Sequence, residues 1–459
     1  MAEHSVTIEH TLKKLLEDKK YPAVRDILVT MNPADIAGVL SQVQPEQVPL
    51  LFRLLPKDPA AEAFVEMEPE LQELLIRSFS DTELKMVLEE LYVDDAVDLV
   101  DEMPANVVTR ILAQTDPAMR REINEILKYP ENSAGSIMTT EFVYLKPNLT
   151  VEQAIAFIRR VGAGKETIST CYVTESGTLI GVVSLKKLLF APNDHITMRE
   201  LMDENVIAVK THDDQEQVAE IVKKYDFISV PVVDAENRLV GIITFDDVMD
   251  VIEEEVTEDM EIMGGMTPSD KTYLRSNALD LFKHRIPWLM LLMVSATFTG
   301  MILSKFENMM VGPLLVLTIF IPMLMDTGGN SGSQSSVTII RALSLGELEF
   351  KDILKVIWKE IQTAVLCGVA LAVVCFGKVM LVDHLIMGNN DVTWQVAAVV
   401  CAAMAVTVLV AKVIGCSLPM IAKKLGFDPA VMASPFITTI VDALSLLVYF
   451  GIASTVLPH

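Results

Sequence analysis

Hydrophobic patterning divides this chain near residue 285. Before that point apolar positions recur with helical or strand periods and charges occur throughout. Beyond Pro287 come five apolar runs, at about 287–303, 310–340, 361–382, 394–422 and 431–457. About 20 apolar residues at 1.5 Å rise cross the roughly 30 Å hydrocarbon core of a bilayer. The pattern therefore predicts a five-helix transmembrane domain over 286–459. Runs two and four are long and hold Gly, Pro or polar residues, as broken or tilted helices do. Arg341, Lys351, Lys355 and Lys359 lie between runs two and three, and Lys423 and Lys424 between runs four and five. The segment "DHLIMGNNDVT" (383–393) has no Lys or Arg. The positive-inside rule then gives a multi-pass protein of the plasma (inner) membrane, its N-terminus cytoplasmic and its C-terminus outside.

Residues 1–129 read as an all-α, superhelical N-terminal domain. "NPADIAGVLSQV", "SDTELKMVLEEL" and "DPAMRREINEIL" each open on an N-cap and repeat apolar residues at i, i+3 and i+4. Within it, "EELYVDDAVDLVDE" (89–102) reads as a solvated acidic helix face. Residues 130–252 carry an internal duplication: "TLIGVVSLKKLL" (178–189) parallels "RLVGIITFDDVM" (238–249). This α/β pattern resembles a tandem pair of CBS domains. Residues 253–285 are expected to form an acidic, amphipathic connecting helix. Between Asp246 and Asp270 there are ten acids and no Lys or Arg. Like charges at i, i+4 destabilise a helix by roughly 0.2–0.5 kcal/mol per pair, so this segment wants a counter-charge. Hard carboxylate oxygens select Mg²⁺ or Ca²⁺ for that part. The stretch "SNALDLFKHRIPW" (276–288) reads as an amphipathic segment at the membrane surface.

The formal charge of −25 argues against nucleic acid as a partner. Five scattered cysteines and seven scattered histidines give neither a disulfide framework nor a zinc site. No Walker loop, nucleophile–base pair or metal–His motif appears, so an enzyme is not expected.

Two membrane runs carry residues that lipid penalises. Run two contains "FIPMLMDTGGNSGSQSSVTIIRAL" (320–343). Such residues suit a wall facing water or ions, with close helix approach. Run five has one formal charge, Asp442, at a cost of roughly 2.5–3.5 kcal/mol near the bilayer centre. In order, the chain shows the helical domain, "YPENSAGSIMT", the CBS pair, the acidic connector, "PxxxxTGGNxGxQ" and "SPxxTTxxDxxxLxxYF". Over essentially its whole length it resembles the MgtE family of magnesium channels and transporters.

The resemblance implies a homodimer in the lipid bilayer, with five spans per subunit and one axial pore. It places Asp442 opposite its twin, with Thr438 and Ser434 from the same motif and Asn330 and Ser333 from run two. Two facing carboxylates repel unless a divalent cation sits between them, and Mg²⁺, which dehydrates reluctantly, is held through its waters. Cytosolic Mg²⁺ ions would bind Asp214, Glu216, Asp226, Asp247, Asp250, Glu255, Glu258 and Asp259 and close the pore. Three departures stand out. Asp326 replaces a usual Gly and adds a pore carboxylate. Ser333 and Ser434 replace usual Asn. Lys187 replaces the Asp that holds a nucleotide ribose, while Phe227, matching an adenine-stacking residue, is kept, so ATP control is expected to be weak or absent. The alternative is a CBS-regulated secondary transporter for another divalent cation or solute, which would favour an inverted repeat that five spans do not supply.

Overall fold

A computed structural model of the 459-residue chain describes all residues except 1–10, 13, 17, 270–272, 274–275, 308–311 and 457–459. It resolves into two compact units, residues 1–253 and 254–459.

Among the described residues, the first unit opens with short helices α1 (Tyr21–Leu28), α2 (Pro33–Gln42), α3 (Val48–Phe52), α4 (Lys57–Val65), α5 (Pro69–Ser78), α6 (Asp81–Leu88), α7 (Val93–Glu102), α8 (Ala105–Gln114) and α9 (Pro117–Ile126). Several start on Pro in the first turn, where no intrahelical N–H is lost. Ser80 and Glu83 form a capping box at α6. Arg53 clamps that Glu83 at 2.6 Å, tying α3 to α6. Phe52, Phe64 and Phe79 meet at centroid separations of 5.3–6.5 Å and seal the core between helices α3 to α5.

Two similar α/β repeats follow. In the first, β1 (Phe142–Leu145) pairs in parallel with β2 (Thr167–Glu175) across helix α10 (Val151–Val161). β2 then turns back on β3 (Thr178–Ser184), leading into α11 (Leu185–Leu189) and α12 (Met198–Leu201). The hairpin turns through Ser176 and Gly177 at φ 55° and 89°. In the second, β4 (Val209–Lys210), α13 (Gln215–Tyr225), β5 (Ser229–Val233) and β6 (Leu239–Thr244) repeat the same order and pairing. The repeats are joined by the Thr178–Arg238 bridge and by a buried Tyr172–Ser229 hydroxyl contact at 2.8 Å. The duplicated pattern in the sequence is a duplicated fold. From β6 the chain enters α14 (Phe245–Met263), whose last turn has no basic residue.

The second unit contains the end of α14 and helices α15 (Ala278–Phe306), α16 (Ile321–Ser344), α17 (Ile353–Lys378), α18 (Trp394–Lys424) and α19 (Ser434–Val456). Among the described residues, four stretches, Ala278–Phe306, Phe350–Ile386, Trp394–Lys424 and Pro429–Val456, are long and apolar enough to cross a membrane. α16, at 24 residues, is shorter and carries polar residues along its length. It continues from a 3-10 segment, Gly312–Phe320, so the second apolar run changes helix type between Phe320 and Ile321, with Pro322 in the first turn of the α-helix. In the fourth run α18 is unbroken through Pro419, which leaves a tilted helix of the two forms expected. The amphipathic segment near 276–288 is no separate element, because α15 runs continuously through Pro287. α16 packs mainly on α18 and α19, whereas α15 has no buried residue and meets chiefly α19.

Candidate ion pathway and acidic clusters

The two faces of α16 differ. Leu324, Gly328, Ser331, Gly332, Ser335 and Ile339 are buried. A Cβ on Gly328 would meet Thr407 and the Ser445 hydroxyl, and one on Gly332 would meet Ile437 and the Ala411 carbonyl. Gly415 of α18 stands directly against the Gly332 backbone. The glycines therefore let α16 and α18 meet backbone to backbone and leave room for side chains of α19. Asp326, Asn330 and Gln334, spaced at i, i+4 and i+8, lie on the other face and are exposed. Asn330 Nδ2 donates to Asp326 Oδ1 at 3.1 Å.

Asp442 is half-buried on α19, with the Asp326 carboxylate within electrostatic range. One turn before it, Thr438 is also half-buried, and its methyl group is where a Cβ on Gly329 would strike. Its hydroxyl donates to the Pro435 carbonyl at 3.0 Å. Ser333 is half-buried on α16. The Ser434 side chain lies outside the described residues. The structure thus brings Asp326, Asn330, Thr438 and Asp442 to neighbouring surfaces of α16 and α19. Among the described residues, no three His, Cys, Asp or Glu side chains of one chain converge on a metal position.

The first unit gathers a second set of acids. In the 89–102 stretch Glu89, Glu90, Asp98, Asp101 and Glu102 are exposed as expected of a solvated face, but Asp94 is only 9% exposed and Asp95 half-buried, which corrects that reading for these two. Asp94 sits on the apolar side of α7, between Val93 and Val97, both buried. Asp94, Asp95 and Glu166 face Asp247 of α14, with Glu141 and Asp246 close by. Asp94 Oδ1 and Glu166 Oε2 are buried without a hydrogen-bond partner. Burial first, then the neighbouring carboxylates, pushes Glu166 up to about 8 and Asp95 up to about 6, and holds Asp94 well above the ordinary range. Lys165 is the cation that acts here, on Glu141. Glu141 also accepts the Val93 N–H at 3.2 Å. Asp247 is held by the Thr244 hydroxyl at 2.5 Å and its N–H at 3.2 Å. Sequence reasoning missed Asp94, Asp95, Glu141 and Glu166. For Asp94 the signal was there, an acid on the same helical stripe as Val97.

The other expected sensor residues are spread out. Asp214 caps α13, accepting the Glu216 N–H at 2.9 Å, and both are exposed. Asp226 ends the same helix in a left-handed conformation at φ 53°, roughly 18 Å from Asp214 by helical rise. Asp250 is exposed one turn after Asp247 and close to Asp246 and Glu253. Glu255, Glu258 and Asp259 are half-buried in the second unit. There burial, then Asp428 and Glu255, pushes Asp259 up to about 6, against the Ser344 hydroxyl bonded to it.

At the nucleotide position of the first repeat, the Lys187 N–H donates to Ser184 Oγ at 3.2 Å, and no carboxylate follows. Phe227 already stacks on Tyr225 at 5.5 Å.

The family profile described as divalent cation transporter matches residues 321–452, the MgtE intracellular N domain matches 31–132, and CBS domains match 134–194 and 198–254. A magnesium transporter MgtE from Thermus thermophilus is 34% identical, over 97% of this chain and 98% of its own. The Bacillus subtilis magnesium transporter MgtE is 30% identical, over 96% and 95%. The solved cytosolic domain of the Mg²⁺ channel MgtE in complex with ATP is 36% identical, with a TM-score of 0.51, and covers 53% of this chain and 99% of that one. Profiles, full-length relatives and the layout of helical domain, paired CBS repeats and apolar helices agree: the chain belongs to the MgtE family of divalent cation transporters.

Proposed function

We propose that this protein imports Mg²⁺ across the plasma membrane through a pore between two copies, five spans each, gated by its cytosolic acids. The observation that carries the reading is the polar face of α16. Asp326, Asn330 and Gln334 stay exposed on a helix whose other face is packed, beside Asp442 of α19. Polar groups facing lipid would go unsatisfied, so a helix of this kind belongs against water or a second subunit. Asp442 and Asp326 supply two carboxylates per chain, which suits a strongly hydrated ion held through its waters and by a symmetry-related copy. The ion is cargo here.

Gating follows from the other acids. Asp94 is raised by the neighbouring Asp247 charge and half-buried Asp259 by the exposed Asp428, so both carboxylates are held against like charge. Bound Mg²⁺ relieves that repulsion and so favours the packed, closed arrangement. Its loss frees the acids to separate. The eight sensor residues expected from sequence are part of this reading, extended here by Asp94, Asp95 and Glu166.

Mg²⁺ flux into proteoliposomes tests the pore. Asp442→Ala is expected to abolish flux while the protein elutes as the same folded oligomer. Wild-type flux through a well-folded Asp442→Ala protein would overturn the assignment.

A further inference from the structure

Lys412 is a lysine inside an apolar helix, only 5% exposed, and the transport reading has no use for its charge. Its Nζ donates to Ser335 Oγ at 3.2 Å. The Ser335 hydroxyl in turn donates to Glu360 Oε2 at 2.6 Å, and Lys412 Nζ lies 3.7 Å from the same oxygen. Ser335 is buried and Glu360 half-buried. The three residues come from three helices, α16, α17 and α18.

Their position matters as much as their chemistry. Ser335 follows Gly332 by three residues and Lys412 precedes Gly415 by three, so the network lies one turn from the place where α16 and α18 touch backbone to backbone. A contact between glycines is smooth and leaves the rotation of the two helices weakly fixed. A charge-assisted network is directional, and a buried ion pair is best suited to setting register. We infer that Glu360, Ser335 and Lys412 form a buried ionic clasp that fixes the rotation of α16 and thereby aims Asp326 and Asn330. They are positioning residues. Their consequence for ion passage rests on the transport reading above, whereas the aiming of α16 does not.

The alternative is a clasp that only stabilises the fold, and the test separates the two. The variants are Ser335→Ala, Lys412→Met and the neutral pair Lys412→Met with Glu360→Gln, which leaves no uncompensated charge should a single variant fail to fold. The first measurement places Asn330→Cys in a chain with its native cysteines replaced, and records its rate of modification by a water-soluble maleimide in proteoliposomes. The second records Mg²⁺ flux with Asn330 intact. In folded variants the maleimide rate is expected to change by about threefold or more, and Mg²⁺ flux to fall about tenfold, the lower end of what groups supporting a ligand contribute. The charge swap Lys412→Glu with Glu360→Lys should recover part of both. Folded Ser335→Ala and neutral-pair proteins that keep the wild-type modification rate would overturn the inference, even with lowered thermal stability. If the wild type carried no Mg²⁺, the transport reading would fail, and the maleimide rates would still decide the clasp.

Discussion

Asp94, buried in the helical part of the first unit, and Asp247, at the start of α14, hold their carboxylates in mutual repulsion. Asp247 sits where the second repeat ends in Thr244, whose hydroxyl fixes it. The charges that act most strongly on either acid are carboxylates.

A pH dependence follows. Asp95 and Glu166 have folded-state pKa values raised to about 6 and about 8, so the folded unit holds protons that the unfolded chain has released. Stability from this cluster is full below about pH 4 and is lost as pH rises through 6 to 8. For Asp95 the penalty at neutral pH is on the order of 2–3 kcal/mol. Amide exchange in Val93–Glu102, corrected for the intrinsic rate, should therefore be faster at pH 8 than at pH 5. Millimolar Mg²⁺ should slow it at pH 8 and leave it nearly unchanged at pH 5. A pH-independent rate would count against an uncompensated cluster.

The Gly332–Gly415 crossing gives a packing prediction. A methyl group at position 415 would collide with the Gly332 carbonyl, whereas one at Gly451 meets nothing within 4 Å. Gly415→Ala should destabilise the second unit by about 1–3 kcal/mol, the scale of overpacking, and Gly451→Ala should be silent. Thermal unfolding in detergent distinguishes them, and equal midpoints would contradict the close contact.

Sequence made some of this architecture legible and hid the rest for physical reasons. The duplicated α/β repeats stood out because strand ends and turn residues recur at matched spacing, as at Gly181 and Gly241. Asp442 stood out because a charge in a long apolar run has a high and recognisable cost. Lys412 passed unnoticed in a run of the same kind, since its partners Glu360 and Ser335 lie on other helices and only packing brings them together. Asp94 was hidden by its neighbours: in "VDDAVDLVDE" an acid on the buried stripe looks like one more member of an exposed acidic face.

Nucleotide control should be weak. Lys187 stands where a ribose-holding carboxylate would follow Ser184, and Phe227 is already stacked on Tyr225. Calorimetric titration of ATP should give no micromolar binding. Micromolar affinity that disappears with Phe227→Ala would show that the second repeat suffices.

Closure by cytosolic Mg²⁺ should depend on α14. This helix carries Asp247 and Asp250 in its first half and Glu255, Glu258 and Asp259 in its second, where Asp428 opposes Asp259. Replacing these five by Ala removes ion sites and repulsion together, so current through the variant should no longer change with cytosolic Mg²⁺. Asp259→Asn does something narrower. It keeps the shape beside Ser344 but removes one charge from the repulsion with Asp428 and Glu255, the part that Mg²⁺ otherwise cancels. It also takes one ligand from the ion site that the reading assigns to Asp259, so the half-closing concentration should rise by a few-fold from the millimolar range of weak carboxylate sites. With one ion site weakened, the dependence should also become shallower. Patch-clamp recording across a Mg²⁺ series measures both quantities. A half-closing concentration that falls in Asp259→Asn would mean that Asp259 acts as a source of repulsion more than as an ion ligand. An unaltered response in the five-residue variant would place the sensor elsewhere.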